Sequence, residues 1–280
     1  MIGRIRQHTA PLYSVALIYI GLMKRSPTYV VRGAHMLCLT SSNSINKNMF
    51  KNTEESVNPT CSIRQTEKYI LLTFNEQMHA ISSCVLNGGL QNIRHVLNLK
   101  VVDDDTITED PAVTLSTMCV ELGLVEKCLG MMTAASMTTL RHQTCWFGEL
   151  YFSAIVTAGL ENSRRAGDAA DVICSDGALP AGTINLVVST NANLAPAAMV
   201  EALMIATEAK AAALEALNIR SAKSGAIATG TGTDAIAIVS DPNGVPLRYV
   251  GKHVVAGEML AQAVIGALSA SLENKHKRHI

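Results

Sequence analysis

Hydrophobic and polar positions along the 280-residue chain fall into two regimes that meet near residue 67. Ahead of it, residues 40–66 (TSSNSINKNMFKNTEESVNPTCSIRQT) are rich in Ser, Asn, Thr and Lys and keep no period, the composition of a linker or long loop. The pattern predicts an N-terminal extension over 1–66 and one main domain over 67–280. Within the domain, KYILLTF (68–74) reads as a strand and SSCVLNGGL (82–90) as a turn-rich connection. QNIRHVLNLKVV (91–102) suits a short helix or a strand with a polar edge, and residues 111–128 carry helical spacing broken at a Leu-Gly pair.

The pattern sharpens from Leu150. LYFSAIVTAGL (150–160) is a mostly apolar stretch running into a glycine turn, and TINLVVST (183–190) lies between Gly182 and Asn191. Both predict buried strands. APAAMVEALMIATEAKAAALEAL (195–217) is dense in Ala, Leu, Met and Glu, all strong helix formers. AIAIVS, the turn sequence DPNG and PLRYVG (235–251) predict a hairpin, and AGEMLAQAVIGALSASL (256–272) a closing helix. Strands alternating with helices predict an α/β fold, a layered sandwich with a mixed β-sheet flanked by helices.

Projected at about 100° per residue, the long helix sorts its charges into two groups. Glu201, Glu208 and Glu215 share one stripe, a solvated face on the plainest view. Lys210 falls on the opposite side, among Leu203, Ala206, Leu214 and Leu217. A lysine there must snorkel outward or find a partner. Its mid-helix position favours an internal partner, for which Glu208, Asp234 and Asp168 are the candidates. Glu208 and Lys210, two residues apart, cannot both face one cleft from an ideal helix.

Composition narrows the function classes. The chain is 48% apolar and 16% charged, with 23 Lys+Arg against 23 Asp+Glu. Such a chain has no electrostatic footprint for nucleic acid, and its single Trp offers no base-stacking platform. The basic tail KHKRHI suits a helix C-terminus. Seven cysteines form no CxxC pair, which argues against a disulfide framework or a zinc site and for free thiols in a reducing cytoplasm. PLYSVALIYIGLM (11–23) behind a basic start imitates a signal peptide. It is too short to span a bilayer, and no small-residue cleavage site follows.

Several polar constellations remain. In AIATGTGTDAIAIVS (226–240) three threonines alternate with two glycines before Asp234, a place where backbone amides can approach a ligand. LNGGL (86–90) offers a glycine pair in an ordinary turn signal. GLENSRRAGDAAD (159–171) holds two arginines and two aspartates, read most simply as a surface turn with weak ion pairs. GKHVVAGE (251–258) places His253 after a strand and Glu258 at a helix start; a lone His is more often structural, yet suits proton transfer near neutral pH. No GxSxG, HExxH or GxxxxGK[ST] occurs.

Taken in order, ISSCVLNGGL, HVLNLKVV, MMTAASM, GLENSRRAGD, TINLVVSTNANL, ATEAKAAALEAL, SGAIATGTGTDAIAIVS and GKHVVAGEMLAQAV resemble the adenosylcobinamide amidohydrolases over residues 68–268. After GKH the family usually continues with Thr, a hydroxyl lost here in VVAGE. The resemblance implies cleavage of the amide joining the aminopropanol arm to the corrin ring, in cytoplasmic corrinoid salvage. The corrinoid is then a small-molecule substrate rather than a cofactor, and neither a cofactor, a metal site nor a membrane span is implied. An amide is a poor electrophile, so its hydrolysis needs an activated water or nucleophile, oxyanion donors and protonation of the leaving amine. On the motif positions this chemistry points to Asp234, then Glu208, as base, His253 as acid and Lys210 beside them. Asn87, Gly88, Gly89, Arg165, Asp168, Thr229, Thr231 and Thr233 are the substrate-binding candidates.

Overall fold

The computed structural model describes residues 51–53, 61–101, 110–171 and 182–276; the signal-like run 11–23 and the last four residues of the basic tail lie outside them. Its strands are β1 (Lys51–Thr53), β2 (Cys61–Gln65), β3 (Tyr69–Ser82), β4 (Gly89–Lys100), β5 (Cys128–Thr133), β6 (Arg141–Phe147), β7 (Leu150–Ala158), β8 (Ser163–Arg164), β9 (Ile184–Leu194), β10 (Gly230–Thr231) and β11 (Ala235–Leu247). The helices are α1 (Pro111–Glu121), α2 (Pro196–Ala216) and α3 (Val255–His276). The main sheet runs β1-β6-β7-β9-β11-β3-β4-β5, with β2 on the first half of β3; β8 and β10 form a separate two-stranded ribbon. The pairs β9/β11 and β4/β5 are parallel and the others antiparallel. The sheet is therefore mixed, as the alternation of elements predicts.

Alternating side chains divide the core. Phe152, Ala154 and Val156 of β7, Leu186 and Val188 of β9, and Ile236 and Ile238 of β11 face α2 and α3. Ile155, Val187, Ala237 and Val239 face the other way, into a second apolar cluster with Leu72, Val96 and Met131. Leu71, Leu97 and Leu99 pack under α1. Alanines at 198, 202, 206, 209 and 213 of α2 are all buried, which lets the helix lie close to its neighbours. Between Val255 and Glu273, α3 is long and apolar enough to cross a membrane, with mean hydropathy 1.4. Here Met259, Leu260, Ala263, Val264, Ala267 and Leu268 sit in the sheet–helix core.

Two expectations change. Residues 235–247 form one strand, not a hairpin. β11 pairs with β9 up to Ser240, bulges over DPNG, and resumes at Val245 opposite Ala192. Asn193 Nδ2 donates to the Pro242 carbonyl at 2.8 Å, and a Cβ at Gly244 would stand 1.9 Å from the Asn191 carbonyl oxygen. The glycine serves close strand contact rather than a chain reversal. The polar run 40–66 also contributes to the sheet. Cys61–Gln65 pairs with Ile70–Phe74, and Lys51–Thr53 with Thr144–Trp146. The sheet thus starts upstream of residue 67. The polar side chains of β2 are tolerated because Ser62, Arg64 and Gln65 face water.

On the face away from the helices, Asn98, Thr157 and Asn185 form a buried polar island. Asn185 Nδ2 donates to Asn98 Oδ1 at 2.8 Å and to the Met132 carbonyl at 2.9 Å, while Asn98 Nδ2 donates to Thr157 Oγ1 at 2.8 Å. The island borders a cavity of about 20 Å³.

Candidate active site

The start of β11 fixes the first element of the site. Asp234 ends the Thr/Gly run, and the Lys210 ammonium reaches it from the inner face of α2. Both side chains are nearly enclosed, 8% exposed for Lys210 and 10% for Asp234. Asp234 Oδ2 also accepts the Thr231 amide N–H at 3.1 Å. Its Oδ1 accepts the Thr231 hydroxyl and, at 3.0 Å, the Ile184 N–H. The lysine that the helix projection places on an apolar face thus has its partner. The carboxylate has two donors on each oxygen, leaving no ready acceptor for a water proton. This geometry clamps the loop to β9 and α2.

The threonines are engaged in the same way. Thr229 Oγ1 accepts the Ala166 N–H at 2.9 Å, and Thr183 Oγ1 donates to the Thr233 carbonyl at 2.7 Å. Thr233 Oγ1 donates to the Gly182 carbonyl at 3.2 Å. A Cβ at Gly230 would lie 2.3 Å from Asp234 Oδ2 and 2.7 Å from Lys210 Nζ. The glycine at 230 makes room for the ion pair.

The second element is the loop that follows β7. Residues 159–171 are strapped to residues 219–234 through the β8–β10 ribbon and through side chains. Ser163 Oγ donates to the Arg220 carbonyl at 2.7 Å, and Arg165 Nη1 to the Ile227 carbonyl at 2.9 Å. Asp168 Oδ2 accepts the Ser221 hydroxyl and the Arg165 N–H at 2.8 Å. These hydrogen bonds, Ser221 first, hold the Asp168 carboxyl down at about 2. Asp171 pairs with Lys223 at 2.7 Å and with Arg164, and its pKa is lowered by those hydrogen bonds. The run expected to be an ordinary surface turn is a cross-linked platform.

The two loops enclose a concavity of about 220 Å³ lined by Asn162, Arg164, Arg165, Asp168, Asp171 and Gly232. Two guanidinium groups and two ionised carboxylates border it. Asn162 is a lining residue that sequence reasoning missed, since a polar residue among charges looks solvated. It is 3% exposed. Gly182 and Gly232, distant in sequence, pack against it.

The remaining candidates lie apart. Glu208 points to the outer surface of α2, where it pairs with Lys252; these side chains are 50% and 66% exposed. His253 is exposed in the same segment. Lys210 and Asp234 are on the opposite side of the helix, so the structure does not bring the four catalytic candidates together. Asn87 (φ 56°), Gly88 and Gly89 (φ 84°) form the turn into β4, where Asn87 Nδ2 donates to the Cys128 carbonyl at 2.8 Å. A Ser–His contact also occurs, His142 Nε2 to Ser153 Oγ at 2.8 Å, but Ser153 is fully buried. Among the described residues no three His, Cys, Asp or Glu side chains are grouped to hold a metal ion.

Fold and cleft together describe an α/β protein with a charged surface concavity built from two strapped loops. The family model for adenosylcobinamide amidohydrolase, CbiZ, matches residues 54–280. The chain belongs to that family and is a hydrolase acting on adenosylcobinamide. It is 28% identical over 197 residues to the adenosylcobinamide amidohydrolase of Methanosarcina mazei, covering 67% of this chain and 87% of the relative. The similarity to an uncharacterized protein of Methanocaldococcus jannaschii is 37% over 173 residues, 56% of this chain and 68% of that one. The crystal structure of the PH0078 protein from Pyrococcus horikoshii OT3 matches 80% of this chain and 83% of its own at 9% identity, with a TM-score of 0.40, too distant to inform the site.

Proposed function

We propose that the chain hydrolyses the amide between the aminopropanol arm and the corrin ring of adenosylcobinamide, giving adenosylcobyric acid and aminopropanol for cytoplasmic corrinoid salvage. The cleft between residues 159–171 and 229–234 is the site. One observation carries this assignment: two loops that both belong to the family pattern are strapped together around the 220 Å³ concavity.

In this reading the attacking oxygen comes from water. It bonds to the amide carbon while the carbonyl becomes an oxyanion, which the guanidinium groups of Arg164 and Arg165 stabilise electrostatically. Asp168, ionised throughout the neutral range, orients the water by accepting a hydrogen bond from it. The proton that the water loses passes to the leaving nitrogen as the C–N bond breaks, so that a carboxylic acid and an amine are released. Lys210 and Asp234 contribute by holding the 229–234 loop in place. Glu208 and His253 lie outside the cleft and take no part.

Incubation of the protein with adenosylcobinamide, with separation of the corrinoid products, tests the reaction. Appearance of adenosylcobyric acid and free aminopropanol is expected. Binding without release of either product would leave a corrinoid-binding protein instead.

A further inference from the structure

Two buried carboxamide oxygens among the described residues have no hydrogen-bond partner, those of Asn162 and Asn185. They differ in what surrounds them. The Asn185 nitrogen is fixed by two acceptors, Asn98 Oδ1 and the Met132 carbonyl, so that side chain is tied inside the sheet. The Asn162 carboxamide oxygen is left without a partner although the residue is 3% exposed. It lines the concavity beside Arg164, Arg165 and Asp168. Buried polar groups are otherwise almost always satisfied, so an unpartnered oxygen beside the cleft calls for a partner.

The backbone around Asn162 holds the group in position. Gly232 donates its N–H to the Asn162 carbonyl at 3.1 Å. A Cβ at position 232 would stand 2.4 Å from Asn162 Nδ2. Only glycine leaves the carboxamide where it is.

We propose that Asn162 is a substrate-recognition residue that pairs with a primary carboxamide on the rim of the corrinoid. The inference rests on the assignment of the cleft as the corrinoid site. Its chemistry follows from shape. An asparagine presents one donor and one acceptor on the same edge, and a primary carboxamide presents the complementary edge, so both ends are satisfied at once. The scissile amide is secondary and trans, with N–H and C=O on opposite edges, and can satisfy only one end. Asn162 therefore acts in binding rather than at the reacting bond.

The test uses the full chain with adenosylcobinamide and the variants Asn162→Ala, Asn162→Leu and Gly232→Ala. Kd is read by rapid-mixing absorbance before turnover, KM and kcat by product release, and folding by thermal melting. Loss of the paired amide raises Kd and KM on the order of 10- to 100-fold, with kcat retained at saturation. The melting temperature of the Asn162 variants holds or rises, because the substitution removes a buried oxygen that has no protein partner. Gly232→Ala reproduces the Kd change by displacing the carboxamide. Unchanged Kd in the Asn162 variants overturns the proposal, as does a fall in kcat at constant KM, which would place Asn162 at the scissile bond. A lowered melting temperature or failure to fold in both Asn162 variants would assign it a structural role instead. A wild type that binds adenosylcobinamide but releases no adenosylcobyric acid would overturn the proposed reaction, while Kd still decides the role of Asn162.

Discussion

Helix α2 carries two lysine–carboxylate pairs rooted two residues apart, and they play opposite parts. Lys210 points inward to Asp234, both about nine-tenths enclosed; Glu208 points outward to Lys252, both at least half exposed. Positions 208 and 210 are about 200° apart around the helix, so one turn of backbone feeds two different dielectric environments. In the outer pair, solvent screens the attraction and side-chain entropy opposes it, leaving under about 1 kcal/mol. In the inner pair, each charge depends on the other, because water cannot replace a lost partner. Residue type alone does not distinguish them. Burial and the number of donors on the carboxylate do.

The comparison breaks most visibly at Asp234. Asp234→Asn leaves the Lys210 ammonium buried without its counter-charge and is expected to cost about 3–5 kcal/mol in urea denaturation. Adding Lys210→Met should return much of that loss, since removing both charges costs less than stranding one. A double variant no more stable than Asp234→Asn would show that the pair is not the source. Next in size is Gly230→Ala. Its methyl group would press on both charged atoms, a crowding expected to cost about 1–3 kcal/mol, whereas Gly232→Ala should scarcely change the melting temperature.

Acid acts on the second loop. The Asp168 carboxyl is depressed to about 2, below the value of about 3.9 for an unfolded aspartate. Its contribution to stability is full above the unfolded value and is lost as pH falls through the folded one. The stability advantage of wild type over Asp168→Asn should therefore shrink between about pH 4 and pH 2, as urea titrations at several pH values would reveal. The smallest effect belongs to Glu208→Gln. A change under about 1 kcal/mol that vanishes at high salt is expected; a larger, salt-independent loss would make the two pairs alike.

Much of this was legible in the chain. Lys210 on an apolar helical face demands a buried anion, and the carboxylate at the end of the Thr/Gly run supplies it. The runs at 150–160 and 183–190 and the two long helices follow from period and length alone. The bulged strand at 240–245 was not legible, because DPNG satisfies a turn by local rules. Only the contact of Gly244 with the Asn191 backbone shows that the chain continues. Strand β2 was hidden by polar side chains that a sheet edge accepts. The site was half visible. The loop 159–171 announced its charges but not Asn162, whose burial depends on Gly182 and Gly232 from other parts of the chain.

The central claim is that amide hydrolysis occurs in the two-loop cleft, and that the exposed surface carrying Glu208 of α2 and His253 of the segment before α3 is uninvolved. Turnover of adenosylcobinamide by the double variant Glu208→Gln/His253→Gln tests it most directly. Release of adenosylcobyric acid at close to the wild-type rate is the predicted result. A fall in kcat of roughly 10²–10⁴ with the melting temperature unchanged would contradict the claim, and would place the acid–base chemistry at that exposed surface.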